Sequence, residues 1–140
     1  MALNGPIRLE TAEIAHGDLT TNKVIKIGDL PANSLVLSTG FECMSNATIG
    51  GSSPVQFGDG SDTDRFGDTA DLNTAANKIK GGMAGNTPDT ELGYCGPATT
   101  VNAKLDGTHV PTGGSYRFFV IYMPMSGGNA GALADRDYLS

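Results

Sequence analysis

Residues 24–44 read VIKIGDLPANSLVLSTGFECM: an apolar segment, a turn, and a second, longer apolar segment. In the longer segment Leu35, Leu37, Thr39, Phe41 and Cys43 alternate with Val36, Ser38, Gly40, Glu42 and Met44. A period of two places these sets on opposite faces of a half-buried strand; a helix would repeat every three to four residues. Between the segments, Pro31 fixes φ and Asn33 tolerates left-handed geometry, so the chain can reverse there.

Two further stretches follow the same rule. In Thr99–Leu105, Val101, Ala103 and Leu105 alternate with Thr100, Asn102 and Lys104, and the tight-turn pair Asp106-Gly107 follows. Residues 116–123 read YRFFVIYM, with Tyr116, Phe118, Val120 and Tyr122 on one face and Arg117, Phe119, Ile121 and Met123 on the other. Both faces are apolar, so this strand is expected either at the centre of a sandwich or under a neighbouring subunit. Shorter strands are predicted at Ile7–Glu10, at residues 23–27, at Pro54–Gly58 with Val55 and Phe57 inward, and at residues 91–95. Residues 45–53 have loop chemistry, and residues 71–78 have room for one or two helical turns.

Glycine makes up 20 of the 140 residues, roughly twice the usual ~7% share, and is dispersed along the chain. That disfavours a helical bundle and suits short strands joined by turns. Some seven strands are expected, in an all-β domain: a single β-sandwich or a jelly-roll-like small barrel. It would occupy residues 23–124, preceded by an arm with a possible edge strand (1–22) and followed by a flexible tail (125–140).

The formal net charge is −6, and Lys and Arg are nowhere clustered, so no nucleic-acid partner is expected. No apolar run approaches the ~18 residues of a membrane-spanning helix, so no membrane partner is expected either. The N-terminus lacks the charged start and apolar core of a signal peptide, so synthesis and assembly in a cytoplasm are expected unless a leader has already been removed.

Candidate chemistry is sparse. Asp59, Asp62 and Asp64 share a Gly-containing loop and offer hard oxygen ligands, but the full order of a calcium loop is missing. Asp side chains capping backbone N–H groups are the better explanation of the cluster, so no metal or cofactor is expected. His16 and His109 lie in turn-like sequence and read as exposed loop histidines; Cys95 with His109 is a conceivable dyad, but neither is set in the sequence of a known catalytic family. No catalytic residue is therefore assigned. Cys43 and Cys95 are expected as two buried thiols, with a single disulfide as the alternative.

IGDLPANSLVL, then QFGDGSDTDRF, then YRFFVIYM form a pattern that resembles small structural proteins of tailed bacteriophages, several of them head decoration (cement) proteins. The resemblance implies a β-rich virion component on the head surface that binds the major capsid protein as a homotrimer and stabilises the shell against packaged DNA. The oligomer or capsid interface would draw on Phe119, Ile121 and Met123, with Ile7, Leu9, Tyr138 and Leu139 as apolar anchors. The competing expectation is a receptor- or carbohydrate-binding module of a phage fibre or tail. Such modules usually present exposed aromatics, and this chain has no Trp.

Overall fold

The computed structural model describes residues 5–81 and 93–125. The expected anchors Tyr138 and Leu139 lie outside the described residues. Ten strands are present among the described residues: β1 (Ile7–Glu10), β2 (Ile14–Ala15), β3 (Val24–Leu30), β4 (Ser34–Thr48), β5 (Pro54–Gly58), β6 (Gly67–Asp71), β7 (Lys78–Gly81), β8 (Tyr94–Cys95), β9 (Thr99–Leu105) and β10 (Gly113–Pro124). Among the described residues one 3-10 turn is present, at His16–Asp18. The count exceeds seven because several strands have only two to five residues, too short to show a period.

The strands form two antiparallel sheets. Sheet A runs β1-β10-β4-β7, with β2 also on β10 and β8 also on β4. Sheet B runs β3-β9-β5-β6. The sheets pack face to face, which makes the chain an all-β sandwich. Phe41, Tyr116, Phe118 and Val120 from sheet A meet Val55, Phe57, Val101, Ala103 and Leu105 from sheet B, all essentially free of solvent. Burying a side chain of this kind contributes roughly 1.5–3 kcal/mol. Phe41 and Tyr116 pack edge to face at 5.6 Å. The Tyr116 hydroxyl donates to the Leu72 carbonyl at 3.0 Å, so its polar end is satisfied inside the core.

The reversal at Asn33 has φ +62°, as the turn residues predict. It does not make a hairpin. β3 belongs to sheet B and β4 to sheet A, so the turn is a corner that carries the chain between layers. Asp106-Gly107 does the same between β9 and β10.

Two expectations are corrected. The alternation across β4 changes phase. Opposite Ile121 and Tyr122, β4 advances from Ser38 to Val36, leaving Leu37 as the extra residue of a β-bulge. Thr39, Phe41 and Cys43 therefore face the core together with Val36, whereas Leu35 and Leu37 point outward. Residues 71–78 contain no helical turn. Asp71 ends β6, and its carboxylate accepts N–H bonds from Ser53 at 2.9 Å and Asn73 at 3.0 Å. Backbone groups bonded to a short polar side chain are withdrawn from a helix ladder.

Candidate interaction surface

β10 and β4 turn their second faces outward, and this outer face of sheet A carries three of the residues expected at an interface, Phe119, Ile121 and Met123. They lie along β10, opposite Gly40, Ser38 and Leu35 of β4. Leu35 also pairs with Tyr94 of β8. One end of the face is thus apolar, built from Tyr94, Leu35, Leu37, Ile121 and Met123. Each is partly exposed, Leu37 to 38%.

The middle of the face is ionic and self-neutralised. Arg8 Nε lies 2.8 Å from Glu10 Oε1 and Arg8 Nη2 lies 3.4 Å from Glu42 Oε1. Arg117 Nε lies 3.8 Å from Glu10 Oε2. Beneath this lattice Phe119 is only 4% exposed. The Arg8 guanidinium sits 4.4 Å above its ring, and the bare backbone of Gly40 leaves room for the ring to lie across the sheet. A Cβ on Gly40 would collide with the Lys80 carbonyl oxygen and come within 3.0 Å of Phe119 Cζ. The chain itself thus covers Phe119 and leaves Ile121 and Met123 at the margin.

The N-terminal anchors are on the other side of β1. Ile7 and Leu9 pair with Tyr122 and Val120, whose side chains enter the core. Leu9 fills the space over Gly28 of β3, where a Cβ would come within 2.6 Å of its Cδ1. It closes the sandwich along that side, and Ile7 remains 39% exposed.

The sequence reading did not place Leu35, Leu37 and Tyr94 at the apolar end. Leu35-Val36-Leu37 is apolar at three successive positions, so its phase is ambiguous. Tyr94 reaches the face through a strand of two residues.

The acidic loop caps its own backbone. Asp59 Oδ1 accepts N–H bonds from Ser61 and Asp62, each at 2.7 Å, and Oδ2 pairs with Arg65 Nη1 at 2.9 Å. Burial opposes the charged carboxylate, but these donors outweigh it and hold Asp59 below the usual carboxylate range. Asp62 moves the other way, because it shares a hydrogen bond with Asp64 and is further opposed by burial and by that residue's charge. Among the described residues, no group of three or more His, Cys, Asp or Glu is placed to hold a metal. Cys43 and Cys95 are buried thiols, and the single Cys43 S–H proton lies within reach of two acceptors, the Ser45 carbonyl at 3.1 Å and the Thr74 carbonyl at 3.3 Å. Burial pushes the Cys43 thiol up. The Cys95 thiol is enclosed in the core, and the His109 ring packs against Gly51.

No protein-family model and no curated protein matches the sequence. Solved structures do match the fold. A chain of the capsid of Ralstonia phage GP4 aligns with a TM-score of 0.60 at 12% identity, over 86% of this chain and 83% of that one. A chain of the acidic stable capsid structure of Helicobacter pylori bacteriophage KHP30 aligns at 0.59 and 15%, over 84% and 86%. A chain of the cyanophage Pam1 capsid asymmetric unit aligns at 0.56 and 20%, over 89% and 93%. At such identities the likeness establishes a common sandwich fold.

Proposed function

We propose that this chain is a bacteriophage virion structural protein of the head decoration, or cement, type. It binds the assembled head through the major capsid protein and stabilises the shell against the pressure of packaged DNA. It acts by binding, without catalysis, and is assembled in the host cytoplasm onto the head surface. The observation that carries the reading is the fold shared over more than four-fifths of its length with chains from three phage capsids. The outer face of sheet A supports it, with an apolar end around Leu37, Ile121 and Met123 suited to contact with another protein. A homotrimer packing this end would bury it with closed symmetry and present several shell contacts at once, so each contact can be weak. Ile7, Tyr138 and Leu139 are the anchors proposed for the shell, and Leu9 holds the Ile7 strand in place.

Copy number in purified particles tests the reading. A count comparable to that of the major shell protein is expected, together with loss of packaged DNA on osmotic shock from heads lacking this chain. A handful of copies located at the tail would overturn it in favour of a fibre or receptor-binding module.

A further inference from the structure

We propose that Arg65 is a positioning residue for the apolar end of the sheet A face, clamping β8 and Tyr94 onto the loop that follows β5. Its relevance to binding rests on the proposed use of that face; the clamp itself does not.

β8 has two residues and, among the described residues, its strand pairing is with Ser34 and Leu35 of β4, a short ladder for a strand at the edge of a sheet. Arg65 adds a constraint from the other sheet. Its Nη2 donates to the Tyr94 carbonyl at 2.6 Å and its Nη1 to Asp59 at 2.9 Å. Its guanidinium carbon lies 5.0 Å from the centre of the buried Phe66 ring. Asp59 is in turn fixed by the Ser61 and Asp62 amides. The loop can fold back this tightly because Gly58 has no Cβ to collide with the Asp62 carbonyl. On the far side, the Tyr94 hydroxyl donates to Asn33 Oδ1 at 2.6 Å and the Asn33 amide donates to the Gly96 carbonyl at 2.9 Å. The Val36 amide donates to the Gly93 carbonyl at 2.9 Å, and the Met125 amide donates to the Asn33 carbonyl at 2.7 Å. The acidic loop thereby acquires a role: it orients a side chain that ties the end of sheet B to the corner of sheet A. A planar guanidinium spans a carboxylate and a carbonyl at fixed angles; an ammonium does not.

Amide hydrogen exchange on the full chain tests the clamp. In Arg65→Ala and Arg65→Lys, protection of the Asn33, Val36 and Met125 amides is expected to fall about tenfold or more, with Val101 and Ala103 in β9 unchanged. Asp59→Asn should give a smaller loss at the same amides. Unchanged protection at Asn33 and Val36 in Arg65→Ala would overturn the proposal, as would an equal loss throughout β9, which would make Arg65 a general stability residue. Binding to heads stripped of this chain is then measured for Arg65→Ala beside Leu37→Asp. Weaker binding by both is expected. Normal binding by Leu37→Asp would reject the use of the face and leave the exchange result standing.

Discussion

The two outward faces of the sandwich are built on the same alternation and are chemically unlike. Sheet B turns Val24, Lys26, Gln56, Thr100, Asn102 and Lys104 to solvent. Lys26 and Asp29 pair at 2.7 Å with both side chains mostly exposed, and Thr100 donates to Asp29. The hydrogen bonds from Lys26 and then Thr100 favour the charged carboxylate, so Asp29 titrates below its ordinary value. The exposed Val24 is a single apolar side chain beside a shallow depression of about 120 Å³, of the kind any protein surface carries. Sheet A instead groups Tyr94, Leu35, Leu37, Ile121 and Met123, and buries a phenylalanine under an arginine beside them. Position in a strand decides whether a side chain points in or out. It is the residues on the outward positions that decide whether a face needs a partner.

Substitutions on the two faces should separate sharply. Phe119→Ala is expected to cost about 3–5 kcal/mol, as for a buried aromatic, whereas Lys104→Ala should stay within about 0.5 kcal/mol. Urea unfolding measures both, and a mild Phe119→Ala would mean that the outer face of sheet A is as permissive as that of sheet B. Gly40→Ala should cost about 1–3 kcal/mol, because the new methyl displaces either β7 or the Phe119 ring. Leu37→Asp should leave the unfolding midpoint nearly unchanged and abolish the proposed trimer in sedimentation experiments. An unfolded Leu37→Asp would instead place that residue in the core.

Acid should weaken the loops around sheet B. For Asp71, burial raises the pKa, but the Asn73 and Ser53 amides and the Ser52 hydroxyl outweigh it; the folded value lies below the ordinary 3.8, as it does for Asp59. Each therefore contributes stability that is present above pH 3.8 and is lost as pH falls through the folded value. Urea midpoints measured from pH 5 downward should decline less steeply in Asp71→Asn than in the parent chain. The smallest effect is expected for Lys26→Ala, with no resolvable change in midpoint at neutral pH, since an exposed ion pair is screened by solvent.

Local sequence determined the longer strands and most of what they bury. Thr99–Leu105 faces inward through Val101, Ala103 and Leu105, and residues 116–123 through Tyr116, Phe118, Val120 and Tyr122, because each alternates along a regular strand. Pro31 and Asn33 marked the corner for the same reason: turn geometry is set within a few residues. The tertiary structure decided the rest. Whether the Asn33 corner joins neighbours in one sheet or crosses to the other depends on pairing across the whole chain. The bulge at Leu37 inverts the phase of its own strand in response to β10, and no residue within β4 announces it. Phe119 is buried by an arginine 111 positions earlier in the chain, and Arg65 finds a carbonyl 29 residues later. These contacts are made between strands brought together by folding, so a period read along one strand cannot contain them.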